Sequence, residues 1–330
     1  MDNHSTPSVA VIGAGMAGVT CARLLQSHGF RPAVFEKSRG LGGRLATRRT
    51  GDAIAFDHGA QYITARSAPF QSAMQLAIKA GAAAYWHPAG AITDDWIVGT
   101  PAMNALIKPS ADELDVRHAT TVTAVVRTAG GWRVQTGANE TGDAFDIVVS
   151  TIPSPQAGVL FAAEPAIATA LERVVMAPCW ALMVAFDDIV DAGVDVMQSE
   201  SADLAWIARN STKPGRSTAQ DCWVVHASPA WSARHVELER EQAAALMLEM
   251  LPRALGRPLP PIAQAQAHRW RYARTATPLG APFIENDDRT LFLGGDWCLG
   301  ARVEAAFESG AAIAAALAGA VDRTHDTAPV

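Results

Sequence analysis

The chain has 330 residues, 49% hydrophobic and 18% charged, with 27 basic against 33 acidic side chains and a net charge of −6. At about 150 residues per domain, that length predicts two domains with sizeable cores, and the composition excludes a disordered chain. The acidic balance excludes a surface built throughout to grip nucleic acid or anionic lipid, so neither is expected as a partner.

The N-terminus has no basic segment followed by a long apolar run and does not read as a secretory signal. Residues 8–12 form a continuous apolar run, the pattern of a parallel strand buried on both faces. Gly13-Ala14-Gly15-Met16-Ala17-Gly18 follows, then a helical pattern that Gly29 is placed to stop. Residues 32–36 read as a second strand ending on Glu36, 18 positions after Gly18. Gly13 permits the tight turn, Gly15 lets the backbone approach a diphosphate, and Gly18 lets helix and strand pack closely. The N–H groups of the first helical residues, Met16 and Ala17 among them, present a positive dipole end to phosphates. Glu36 is placed to accept hydrogen bonds from ribose hydroxyls, with Lys37 beside it. Strand, turn, helix, strand and acid in register predict a dinucleotide site. Its surroundings are basic: between Asn3 and Gly51 stand seven cations and one acid, Glu36.

Further along, a helix is expected over residues 69–83, a pair of short strands over 85–98, and antiparallel strands at 120–126 and 131–136. An apolar strand at 146–150 ends at Thr151-Ile152-Pro153. Helices at 166–175 and 237–251 then alternate with strands at 179–186, 222–226 and 263–272. Residues 211–217, rich in Gly, Ser, Thr and Pro, are expected to form a surface loop. A strand at 290–293 precedes Gly294-Gly295-Asp296-Trp297, and a last helix runs over 302–318. Its apolar stretch, 310–321, falls short of the ~20 residues that span a bilayer, so no membrane association is expected. Cys21, Cys179, Cys222 and Cys298 are far apart, which suits a reducing cytoplasm. No HExxH, no zinc spacing and no Gly-x-Ser-x-Gly elbow occurs, so no metal site is expected.

The first βαβ unit does not separate NAD from FAD. Two later motifs do: Arg39-Gly40-Leu41-Gly42-Gly43-Arg44 directly after Glu36, and Leu291-Phe292-Leu293-Gly294-Gly295-Asp296-Trp297 followed by Arg302-Val303-Glu304. With these the whole chain resembles the glutathione-reductase-type flavoproteins of the amine-oxidase group, and within it the renalase-like branch. The resemblance implies an α/β fold: a Rossmann-like FAD-binding domain (1–66, 110–155 and 273–330) with an inserted α+β substrate domain on an antiparallel sheet (67–109 and 156–272). It implies non-covalent FAD held by Gly13, Gly15 and Gly18 at the pyrophosphate and by Glu36 at the ribose. Gly42, Gly43 and Arg44 would lie against the pyrophosphate and flavin edge. The Phe56-Asp57-His58-Gly59-Ala60-Gln61-Tyr62 segment would pass beside the isoalloxazine. Val122 and Thr151 would meet the adenine side, Asp296 the ribityl chain or phosphate, and Val303 the flavin pyrimidine.

Many amine oxidases place a lysine, bridged by water, at the flavin N5. The one lysine after Lys108 is Lys213, in a Lys-Pro-Gly loop expected to be exposed; this departure favours the renalase-like branch. Cys298 reads as a buried thiol, not a flavin tether. Period-two alternation places His268, Trp270 and Tyr272 on one strand face and Arg269 and Arg271 on the other. Trp270, Tyr272 and Trp297, with Gln61 and Tyr62, are the candidate substrate-lining residues, the aromatic ones suited to stacking on a flat ring; a core role for each stays open, and no side-chain base is evident. The branch implies hydride transfer from the 2- or 6-dihydro isomers of NAD(P)H to FAD, with O2 as acceptor and hydrogen peroxide as product. Oxidation of an amine or another small molecule is the alternative.

Overall fold

The computed structural model describes residues 6–50, 54–92, 95–137 and 139–326. Residues 1–5 and Thr93 and Asp94, the latter inside the expected strand pair, lie outside the described residues. The chain forms two compact units: Met1–Gly43, Ile107–Met176 and Thr275–Val330 in the first, Arg44–Leu106 and Ala177–Arg274 in the second. Residues 44–66, expected in the FAD-binding domain, pack within the second unit. Residues 156–176, expected in the substrate domain, pack within the first.

The first unit is built on a six-stranded sheet in the order 283–285, 291–294, 147–150, 8–12, 31–35, 115–117. All neighbours run parallel except Phe283–Glu285, which is antiparallel to Leu291–Gly294. Ala10, Ile12, Ala33, Phe35, Val148 and Leu293 face a core shared with Trp132, Val134 and Phe145 of a three-stranded antiparallel sheet. The alternate residues Val9, Val11, Val34 and Val149 are buried too, so both faces are covered and the strands read as unbroken apolar runs. Strand Ser8–Ile12 has the next strand in sequence, 31–35, on one side and the much later 147–150 on the other, and the turn at its carboxyl end is the switch point where α/β sheets bind ligands.

Helix Met16–Ser27 packs on the last helix, Val303–Asp326. Against the expectation from residues 310–321, the window Val303–Ala320 is long and apolar enough by composition to cross a membrane. Its buried residues, however, are Glu304, Ala305, Ser309, Gly310, Ile313, Ala314 and Leu317, one side of the helix turned into the unit. A β-carbon at Gly310 would run into the Ala17 carbonyl, so glycine is what permits this approach.

The second unit centres on a five-stranded antiparallel sheet in the order 196–198, 204–209, 221–227, 175–186, 262–277. One face carries Trp180, Leu182, Val184, Trp223, Val225 and Ala267 and is closed by helix Arg240–Leu255. That helix starts with a reciprocal Glu239–Gln242 capping box and stops at Gly256 with φ +68°. The opposite face carries Met183, Ala185, Cys222 and Val224, covered by Phe56 of the hairpin Thr47–Thr50/Ile54–Asp57. His226 and Trp206 are directly paired neighbours on adjacent strands and share that face.

Candidate active site

In the first unit the Gly13 turn is held open. Gly13 adopts φ +104°, and its N–H donates to the Phe35 carbonyl at 2.9 Å. A β-carbon at Gly18 would strike the Gly13 carbonyl, whereas one at Gly15 would meet nothing nearer than the Gly42 carbonyl at 3.9 Å. The free space thus lies where a diphosphate is expected, at the amino end of the helix that begins with Met16 and Ala17. Gly42 N donates to the Ala14 carbonyl at 3.0 Å, and the nearest atom to a β-carbon on Gly43 would be the Gly15 Cα, at 3.8 Å. The second glycine loop therefore lies along the first. Thr151 Oγ1 donates to the Gly13 carbonyl at 3.1 Å.

Glu36 is buried, and its carboxylate accepts from Ala14 N at 3.0 Å and Ser38 N at 2.7 Å. A carboxylate offers about four lone-pair positions, so two remain for ribose hydroxyls. An open glycine cradle with a buried carboxylate beside it fits the adenosine and pyrophosphate of FAD. Lys37 is exposed, Val122 is half-buried in its strand, and Asp296 is buried with Thr275 Oγ1 donating to it at 3.3 Å. Val303 opens the last helix.

Trp297 requires a correction. It is wholly buried in the first unit's core, with its indole N–H donating to the Ile152 carbonyl at 3.1 Å, so it packs and does not line a substrate face. Cys298 is buried beside it, its thiol pushed up to about 12 by burial. That leaves it protonated at neutral pH and inert as a nucleophile.

The second unit gathers most of the remaining candidates around residues 57–62. A β-carbon at Gly59 would strike the Arg44 carbonyl, which also accepts from Ala60 N at 2.8 Å. Arg44 in turn donates to the Ala273 carbonyl at 3.1 Å. The His58 carbonyl accepts from the Trp270 indole at 2.9 Å and from His226 Nε2 at 3.1 Å. The His58 and Trp270 rings stack at 5.0 Å, and His268 meets both edge-on. The alternation expected along this strand is present: Arg269 and Arg271 lie opposite, bonded to Val236 and Glu237. Tyr272 is half-buried. Tyr62 stacks on Trp96 at 3.9 Å, with Trp206 at 5.4 Å.

The loop 211–217 is not the exposed segment expected. Lys213 is 2% exposed, and its ammonium donates to Asp57 Oδ2 at 3.3 Å and Gln61 Oε1 at 3.2 Å. Arg216 donates to the same Asp57 oxygen at 2.5 Å. Asp57 also accepts from Thr47 Oγ1 at 2.6 Å and Met103 N at 3.1 Å. Burial pushes the Asp57 carboxyl up, but Lys213 and Arg216 outweigh it and hold it down at about 2. Burial pulls Lys213 down to about 8 against the opposing pull of Asp57. No local feature of a Lys-Pro-Gly sequence signals this; the partner lies 156 positions away.

Burial also holds the three histidines neutral: His58 and His226 fall to about 4, His268 to about 3, with Arg48 adding to the effect at His58 and His268. An unfolded histidine titrates near 6.5, so below that pH the unfolded chain binds more protons than the native one. The native state should therefore lose stability as pH falls from 6.5 towards 4 and hold it above 6.5. Urea unfolding at pH 7.5, 6.0 and 5.0 checks this, and His226→Gln should flatten the dependence. A midpoint independent of pH across that range would refute it.

The sequence profile described as NAD(P)-binding Rossmann-like domain matches residues 11–77, and that of the flavin containing amine oxidoreductases matches 72–318. A chain from Exiguobacterium sp. 255-15, assigned as a protoporphyrinogen oxidase, superposes with a TM-score of 0.77 at 14% identity, over 96% of this chain and 99% of its own. Cyclohexylamine oxidase from Brevibacterium oxydans gives 0.74 at 12% identity, over 96% and 100%. Lysine-specific histone demethylase 1 homolog 3 of Arabidopsis thaliana is 48% identical over 56 residues, 17% of this chain and 3% of its own length. The chain thus spans a small part of that curated relative. The two solved structures share the fold, and the profiles point to FAD as the dinucleotide.

Proposed function

The chain belongs to the flavin containing amine oxidoreductase family, and from that premise we propose that it is a renalase-like FAD-dependent oxidase of misreduced nicotinamides. Its substrates would be the 2- and 6-dihydro isomers of NAD(P)H, its products NAD(P)+ and, with dioxygen and a proton, hydrogen peroxide. FAD, when bound, would supply the hydride acceptor and the redox link to dioxygen. The chain's own residues bind, orient and exclude water. Gly13, Gly15, Gly18, Gly42, Gly43 and Glu36 would hold the cofactor's adenosine and pyrophosphate. His58, His268, Trp270, Tyr62 and Trp206 offer flat, neutral surfaces to a flat ring.

The observation that carries this reading is the charge state of that face. Among the described residues in its hydrogen-bond network, the one carboxylate is Asp57, already committed to Lys213, Arg216, Thr47 and the Met103 N–H. No anion is left there to pair an alkylammonium, and the histidines are neutral at physiological pH. Loss of hydride from a dihydronicotinamide yields an aromatic ring and asks for no side-chain base, in keeping with such a lining.

Buried Lys213 favours a second reading, oxidation of an amine, because the exposed lysine expected from the sequence is not what the structure has. Anaerobic mixing with 6-dihydro-NAD against a panel of primary amines separates the two. Bleaching of the flavin band by 6-dihydro-NAD within seconds is expected; bleaching by amines alone would overturn the proposal. Four buried free cysteines support a reducing, cytoplasmic setting. Nucleic acid and membrane are not proposed as partners.

A further inference from the structure

We propose that the indole N–H of Trp206 binds the carboxamide oxygen of the nicotinamide and so selects the substrate's ring; this rests on the dinucleotide reading above. Trp206 lies in strand Leu204–Arg209, directly paired with His226, on the sheet face that also carries the His58–Trp270 contacts. Its ring is partly exposed, yet its Nε1 is buried and donates to no acceptor among the described residues. Elsewhere in this unit indole N–H groups donate to oxygen: Trp86 to Thr212, Trp180 to His235, Trp223 to Asp221 and Trp270 to His58. A buried N–H left without an acceptor is disfavoured, and indole is a donor with no acceptor capacity. Trp206 therefore calls for an acceptor from outside the chain.

Its surroundings give the acceptor's class. The rings of Tyr62 and Trp96 lie 5.4 and 5.6 Å from Trp206, and both are uncharged. Lys213 is committed to Asp57 and Gln61 and stands over Trp86, whereas the cation of Arg274 acts on His226, the direct partner of Trp206. An alkylammonium has donors alone and offers the indole no acceptor. A neutral carbonyl on a flat ring satisfies both the N–H and the aromatic surface.

The holoenzyme is titrated with NAD+ and with the analogue in which a methyl group replaces the carboxamide, following flavin absorbance and tryptophan fluorescence. Wild type should prefer NAD+ by about five- to tenfold, the worth of one hydrogen bond. In Trp206→Phe that preference should vanish through weaker NAD+ binding, with the methyl analogue, FAD content and melting temperature unchanged. Equal binding of the two ligands by wild type would overturn the assignment without any variant. So would a variant that keeps the preference. If wild type bound both equally yet was reduced by 6-dihydro-NAD, the Trp206 assignment would fall and the dinucleotide reading would stand. Absence of both dinucleotide binding and reduction would sink the two together.

Discussion

Asp57→Ala is expected to destabilise the protein by about 3–5 kcal/mol, because it strands two buried cations. Lys213 and Arg216 have side chains 0% and 1% exposed, and both direct their charge at the same Asp57 oxygen. Removing the anion leaves them desolvated and mutually repelling. Adding Lys213→Met should recover part of the loss, since one cation then remains and the lysine volume is kept apolar. The same carboxyl contributes an acid limit. Its native pKa, about 2, lies below the ordinary aspartate value of 3.8, so its stabilisation is present above 3.8 and disappears as pH falls through 2. Urea midpoints for wild type, Asp57→Ala and the double variant decide the matter. An Asp57→Ala protein as stable as wild type would show that the cluster is solvated in solution.

The contrast between this cluster and the glycine turn explains what sequence could and could not foretell. The βαβ unit was readable because its determinants are local: an apolar run of five residues, three glycines at fixed spacing, and an acid at the end of the next strand. The His268-Trp270-Tyr272 face was readable because a strand's period of two needs nothing beyond the strand. Lys213 was misplaced because its burial depends on Asp57, contributed by a hairpin far back in the chain. Nothing near a Lys-Pro-Gly turn encodes that. Trp297 was misplaced for a related reason. The side-chain direction is set by the Ile152 carbonyl, 145 positions earlier, and not by the adjacent Asp296. Trp206 is not legible in the sequence because an unpaired N–H is a property of the folded surroundings and leaves no trace in composition or spacing.

Glu36→Ala should weaken FAD binding by at least tenfold, through two separable effects. The first acts on the protein alone. The carboxylate bridges Ala14 N in the phosphate turn and Ser38 N beyond the second strand, so it ties the turn to the strand end. Ala14 is wholly buried, and leaving its N–H without an acceptor costs about 1–3 kcal/mol. Ser38 is exposed, and water replaces its lost partner. The apoenzyme's melting temperature should therefore fall even before FAD is added. The second effect acts on the ligand. Ribose hydroxyls that would donate to a charged acceptor lose bonds worth about 1.5–3 kcal/mol each, where about 1.4 kcal/mol is tenfold in affinity. FMN, which lacks the adenosine, isolates the two. If Glu36 meets the ribose, the variant should lose affinity for FAD while its binding of FMN, corrected for the apoenzyme's stability, changes little. Glu36→Gln keeps one acceptor oxygen and turns an N–H2 towards one of the two backbone donors, so it should fall between alanine and wild type. A variant that melts lower but loses FAD and FMN affinity equally would confine Glu36 to bracing the turn and remove it from the ribose.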